Sequence, residues 1–326
     1  MKRAFIVLAA LSISGALLFA TAQGESGAKG KKYTIASIMF QEDSYFRALG
    51  IGMKEAADKA GVELLSGNCY NKLDKEMELV NTYISRGVDA IILSPLSQTA
   101  SVQALKQAND KKIKIILYNT GVDADFYSTL IESSHEVLGQ STGKVARKYI
   151  QEKLGGKAKI GIIDFVALLP EQSNARSNGF LSQLKDLPGV EVVASQSAWL
   201  AEAATQVAGD VITANPSINV IYACNDGGTV GATMAVKNAG KAGKIVVFGI
   251  DGNEQLANFM LSPDNILQAT TAQQPRAIGQ KTIEMAIKAI KGEKMDKHLI
   301  VPGILLDRAN PDGLKVFLKD MEALTK

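Results

Sequence analysis

The sequence predicts an α/β protein whose parallel sheets are covered by helices and shared between two similar halves. Three observations carry that expectation. From Tyr33 onward, strand-like and helix-like runs alternate with great regularity, as βα units do. Most of the strand-like runs are short and continuously apolar, as strands buried on both faces are. About ten such runs are too many for one open parallel sheet in a chain of 326 residues, whereas two halves of four or five βα units hold them comfortably.

The chain begins with Lys2 and Arg3, an apolar run from Ala4 to Phe19, and the small residues Ala20, Thr21 and Ala22. That order predicts a secretory signal peptide over 1–22, cleaved after Ala22. The apolar run falls short of the ~20 residues that a spanning helix needs, and no cysteine before Cys69 could carry a lipid. The expected product is therefore a soluble periplasmic protein. Gln23 to Lys32, rich in Gly, Ser and Lys, reads as a flexible leader.

Strands are expected over 33–39, 62–65, 90–93, 113–118, 128–131, 159–164, 190–194, 219–223, 244–250 and 266–270. Of the helices between them, one shows a stripe of Phe46, Leu49, Met53, Ala56, Ala57 and Ala60 before Gly61. A second shows Met77, Val80 and Ile84 before Gly87, and a third Ile278, Ile283, Ala286, Ile287 and Ile290 before Gly292. Spacings of three and four mark one helical face, and each glycine suits a left-handed cap. Crossings between the halves are expected near Ile131 to Ser134, Gln273 and Gln274, and Val301 to Ile304. These would divide the chain into an N-terminal lobe of 33–133 plus 274–303 and a C-terminal lobe of 134–273 plus 304–326.

Composition removes several functions. Without Lys2 and Arg3 the 36 basic residues become 34 against 33 acidic ones, which offers no basic footprint for nucleic acid. Cys69 and Cys224 are far apart and read as buried small side chains, and with only His135 and His298 beside them no metal or cofactor is expected. Gly139 to Lys144, Gly50-Ile51-Gly52 and Gly227-Gly228 with Gly231 all miss the spacing of phosphate loops. No G-x-S-x-G elbow occurs, and the chain is not expected to be an enzyme.

Ligands of open α/β sheets sit beyond the carboxyl ends of the strands. There the sequence places Asp43, Tyr45 and Phe46 after the first strand, with Asn119 and Thr120 after the fourth. Asn174 and Arg176 lie beyond the sixth, Trp199 beyond the seventh, and Asn225 with Asp226 beyond the eighth. Asp251 follows the ninth and Gln273 the tenth. Aromatic faces with amides and one or two carboxylates suit a neutral polyhydroxylated ligand, whose C–H faces stack while each hydroxyl needs donor and acceptor. Taken singly, Asn225-Asp226-Gly227 also reads as an Asx turn and helix cap, and Trp199 as a partly buried core ring.

Several of these residues lie in recognisable stretches: Asp43-Ser44-Tyr45-Phe46, Arg86 to Pro95, Arg176 with Gly179-Phe180, Ala223 to Asp226, Val247 to Gly252 and Ala272 to Pro275. In this order the chain resembles the type I periplasmic sugar-binding proteins, the ribose, galactose and allose binders of ABC transporters, from Tyr33 to Asn310. The resemblance implies two Rossmann-like, doubly wound parallel-sheet lobes joined by a three-crossing hinge that closes on a monosaccharide. It also implies that Tyr45, Phe46 and Trp199 stack on the sugar while Asn225, Asp251 and Gln273 bond its hydroxyls. Ribose readers carry an acidic residue and an arginine where this chain has Asn119 and Thr120, and many carry an arginine at Asn174. The sugar is therefore left open among a sugar alcohol, a deoxy sugar and a furanosyl signal such as autoinducer-2.

The expected partners are that small ligand and an ABC transporter permease, with the protein itself a monomer. The alternative is an extracytoplasmic sensor presenting its closed form to a chemoreceptor or a histidine kinase. A sugar-responsive repressor would need a helix-turn-helix where this chain carries its export signal.

Overall fold

The structure is a computed structural model that describes residues 33–42 and 44–323. The expected signal peptide, the leader and Asp43 lie outside the described residues. The first sheet is supplied by β1 (Thr34–Met39), β2 (Glu63–Asn68), β3 (Ala90–Leu93), β4 (Lys114–Tyr118) and β5 (Thr129–Glu132), with α1 (Ser44–Ala60), α2 (Leu73–Arg86) and α3 (Val102–Asp110) between them. After α4 (His135–Lys153) the pattern repeats through β6 (Lys157–Asp164), α5 (Pro170–Ser182), β7 (Gly189–Ser197), α6 (Ala201–Ala214), β8 (Val220–Ala223), α7 (Asp226–Asn238), β9 (Val246–Ile250), α8 (Glu254–Leu261) and β10 (Leu267–Ala272). The chain closes with α9 (Pro275–Lys291), β11 (His298–Ile300), β12 (Ile304–Asp307) and α10 (Pro311–Ala323).

Two six-stranded sheets result, in the orders β2-β1-β3-β4-β5-β11 and β7-β6-β8-β9-β10-β12. Every neighbouring pair is parallel except β10 with β12. The fold is thus an α/β pair of parallel-sheet lobes, and the two orders correspond strand for strand. Sequence periodicity did not reveal β11 and β12. They are three and four residues long and hold the outer edges of the sheets, too short for a run of side chains to set them apart from a connecting loop.

Alternation along each central strand feeds two cores. On the first sheet Ile35, Ile92 and Ile116 face α1 and α9, while Ala36, Ile91 and Ile115 face α2 and α3. The second sheet repeats this with Ile163 and Val247 on one side and Ile162 and Phe248 on the other. Gly61, Gly87 and Gly292 end their helices or follow them at φ 67°, 65° and 72°, the left-handed turn that a Cβ resists.

The helices at the crossings are exchanged. Leaving β5, the chain runs through Ser133 and Ser134 into α4, which packs on α5 and on β9 and β10 of the second sheet. Leaving β10, it runs through Gln273 and Gln274 into α9, which packs on α1 and β4 of the first. A third passage, Val301 to Gly303, joins β11 to β12. Both helix pairs are very close: a Cβ at Gly139 would lie 2.1 Å from the Arg176 carbonyl oxygen, and one at Gly52 would lie 2.0 Å from that of Arg276. The glycines that half-resemble phosphate loops therefore serve helix packing, inside α4 and α1.

Candidate functional site

A cleft of about 1040 Å³ lies where the carboxyl ends of both sheets meet. Its lining includes Tyr45, Phe46, Asn119 and Thr120 from the first half, Arg176, Trp199, Asp226 and Asp251 from the second, and Gln273 and Gln274 at a crossing. Apart from Arg176, which lies within α5, these side chains come from loops and first helical turns, which rigid sheets can aim without being reshaped.

On the first wall, α1 begins immediately beyond β1 and presents Tyr45 and Phe46. Phe46 is 5% exposed and belongs to the core beneath α1. Its ring lies edge-on to Phe40 at 4.5 Å and to Tyr45 at 5.2 Å. The Tyr45 hydroxyl donates to Asn119 Oδ1 at 2.6 Å, which fixes the carboxamide and directs Nδ2 as a donor. Asn119 follows β4 at φ 59°, a left-handed conformation that asparagine tolerates better than most residues.

The second wall carries charge. Asp251 follows β9 at φ 71°, accepting from Arg176 Nη1 at 3.1 Å through Oδ2 and from Gln273 Nε2 at 2.9 Å through Oδ1. The Arg176 side chain is 4% exposed and that of Asp251 20%. Arg176 Nη1 also donates to the Cys224 carbonyl at 2.8 Å, and Nε to His135 Nδ1 at 3.3 Å. The guanidinium carbon lies 5.3 Å from the Phe165 ring centre, so its buried charge meets a carboxylate, a carbonyl, an imidazole nitrogen and a π face. Burial, and then the Arg176 charge, lower the His135 pKa to about 3, so the imidazole is neutral at ordinary pH.

Two of the expected residues sit differently from the way the sequence placed them, and a third, Asn225, takes its alternative reading as a helix cap. Asn174 and Arg176 lie within α5 rather than in a loop beyond β6, because Pro170 starts the helix early as its first-turn residue. On that helix Arg176 points inward, whereas Asn174 is exposed and is not among the lining residues. Asn225 is 1% exposed. Its Oδ1 accepts from Gly228 N at 3.0 Å to cap α7, and its Nδ2 donates to the Trp199 carbonyl at 2.9 Å. Trp199 itself lines the cleft, edge-on to Phe165 at 4.9 Å.

Among the lining residues that escaped the sequence reading are Gln172 and His135. Gln172 lies on α5 one turn before Arg176, and its Nε2 reaches Thr120 Oγ1 of the other wall at 3.3 Å. His135 opens α4 behind the cap Ser134, whose Oγ accepts from Val137 N at 3.3 Å. The spacing of four on one helix was an available signal for Gln172; His135 had none beyond its position after a serine cap.

Chemically the cleft offers fixed donors and acceptors around a compensated ion pair. A carboxylate accepts at about four lone-pair positions, and on Asp251 Arg176 takes one on Oδ2 and Gln273 one on Oδ1. Cys224 is fully buried, and burial pushes its thiol up to about 12, far from the thiolate a nucleophile requires. Among the described residues no cluster of His, Cys, Asp and Glu could hold a metal ion, and no helix is long and apolar enough to cross a membrane.

Residues 35–294 match the Periplasmic binding protein domain family. An ABC transporter periplasmic-binding protein of Escherichia coli K12, YphF, is 30% identical over 91% of this chain and 93% of its own length. The ribose import binding protein RbsB of Salmonella typhimurium is 32% identical over 87% of this chain and 92% of its own. Among solved structures, an ABC transporter periplasmic solute binding protein from Actinobacillus succinogenes with bound D-allose aligns with a TM-score of 0.79 at 28% identity. That alignment covers 86% of this chain and 99% of the other.

Proposed function

The chain belongs to the periplasmic binding protein domain family, among the solute-binding proteins of sugar ABC transporters, and from that premise we propose that it captures a monosaccharide or related polyol between its lobes and delivers it to an importer. The observation that carries the choice of ligand is the Arg176–Asp251 pair, held by Gln273 and His135, in a cleft that aromatic Tyr45 also lines. Compensated charge suits an uncharged ligand, and each hydroxyl finds fixed partners.

The protein works without catalysis, exported and monomeric, its lobes closing about the passages at Ser133–Ser134, Gln273–Gln274 and Val301–Gly303 as favourable contacts form on both walls. Tyr45 and Trp199 stack on the ring, while Asn119, Asp251 and Gln273 bond hydroxyls. A thermal-shift screen against sugars, polyols, nucleosides and amino acids tests this. A ligand at a hundred times its Kd adds ~2.7 kcal/mol, so a neutral polyol is expected to raise Tm by several degrees. Stabilisation by an amino acid alone, or by nothing in the panel, contradicts the reading.

A further inference from the structure

The correspondence of the two halves can be followed residue by residue at the base of the cleft. In the second half the close approach of α4 and α5 sets Gly139 against the Arg176 carbonyl and Gly179 against that of Glu136. In the first half, α9 and α1 repeat it, with Gly279 against the Leu49 carbonyl and Gly52 against that of Arg276. Arg176 therefore corresponds to Leu49, and His135, one residue before Glu136, corresponds to Pro275, one before Arg276. Asp251 after β9 corresponds to Asn119 after β4. The bonded trio Arg176, His135 and Asp251 thus stands where the other half manages with Leu49, Pro275 and Asn119, so this architecture does not require it.

His135 is also poorly satisfied as a structural histidine. Its Nδ1 accepts the Arg176 Nε–H at 3.3 Å, which puts the ring hydrogen on Nε2. That atom is buried and has no partner among the described residues. Fold stability would be served as well by an apolar side chain there, since an unmet buried donor is a cost. What an imidazole supplies, and an apolar side chain does not, is an uncharged acceptor for the guanidinium. A carboxylate at this position would compete with Asp251 for Arg176; the neutral ring holds Nε while Nη1 stays on Asp251.

We propose that His135 is a positioning residue for ligand recognition: as the neutral Nε2–H tautomer it fixes the guanidinium that orients Asp251, and so adapts the second wall to an uncharged polyol. The proposal rests on the reading of the cleft as a sugar site. Besides Arg176, which its Nδ1 meets directly, Asp251 is the charged group next in that chain.

Two measurements on the mature chain test it. The first is ¹⁵N NMR of the histidine side chains without ligand, with His135 distinguished from His298 by the signal that His135→Gln removes. A bare Nδ1 and a protonated Nε2 that do not titrate between about pH 5 and 8 are expected; the Nδ1–H tautomer, or a midpoint near the ordinary value, overturns the proposal. The second is titration of wild type, His135→Gln and His135→Leu with D-ribose, D-allose and myo-inositol. For whichever sugar binds wild type, the leucine variant is expected to bind at least about tenfold more weakly and the glutamine variant within about threefold, with both Tm values near that of wild type. Wild-type affinity in the leucine variant overturns the proposal. If none of the three binds wild type, the sugar reading loses its support while the NMR result still decides the tautomer.

Discussion

The two walls of the cleft rise from equivalent corners of equivalent sheets, yet one corner carries a neutral amide and the other an ion pair. Asn119 and Asp251 both follow the fourth strand of their half, and both adopt positive φ. Asn119 is held by a tyrosine hydroxyl, Asp251 by a guanidinium and an amide. The shared backbone is what the fold requires. The two corners differ in their side chains, a tyrosine–amide pair on one and a compensated ion pair on the other.

The largest expected effect breaks the charged wall at its root. Arg176→Met leaves Asp251 without its cation and the Cys224 carbonyl without its donor, and removing one partner of a buried pair costs about 3–5 kcal/mol. The matching change in the other half, Leu49→Met, conserves volume and apolar character and should cost under ~1.5 kcal/mol. Urea unfolding of both variants measures the contrast, and equal losses would deny that the walls differ in kind.

Next in size is Asp251→Ala, which removes a charge-assisted acceptor worth ~1.5–3 kcal/mol, or roughly tenfold to a hundredfold in affinity. Trp199 is the sole tryptophan, so its emission reports the titration. Affinity unchanged by the substitution would move the ligand off this wall.

Acid should act on the charged wall through His135. Its folded-state pKa of about 3 lies below the ordinary 6.5, so the unfolded chain takes up that proton first. The stability tied to the neutral ring is therefore complete above about pH 6.5 and is lost as pH falls toward 3, at up to ~1.4 kcal/mol per unit. By pH 5 the loss should be about 2 kcal/mol, and His135→Gln should remove it. A Tm that declines equally in both proteins would contradict the burial assigned to this ring.

The smallest effect probes the first wall. Tyr45→Phe keeps the ring and deletes the hydroxyl that donates to Asn119, so affinity should fall by about 0.5–1.5 kcal/mol with little change in Tm. Isothermal titration measures it, and a loss as large as that of Asp251→Ala would erase the distinction between a stacking wall and an ionic one.

Much of the architecture was legible because buried parallel strands announce themselves: Ala90–Leu93 is an uninterrupted apolar run between Asp89 and Ser94 and has the bounds the sequence predicts. The corners at Asn119 and Asp251 were legible for the same reason, since a polar residue that ends such a run must lie at a strand's carboxyl end. The edge strands β11 and β12, of three and four residues, are too short to announce themselves in this way. Nor could periodicity show that Arg176 is buried while Asn174 faces out from the same helix; the helix cap at Asn225, by contrast, was legible in Asn225-Asp226-Gly227. Gln172 and His135 acquire their meaning from partners 52 and 41 residues away, pairings that only the folded chain brings about.

The central claim is that one uncharged ligand touches both walls at once. A crystal structure of the mature protein with the sugar or polyol selected by the thermal-shift screen tests it most directly. Density for the ligand is expected against Tyr45 and Trp199, with hydroxyls within ~3.2 Å of Asn119 on one wall and of Asp251 on the other. Density confined to one wall, or lying outside the cleft, would contradict the account.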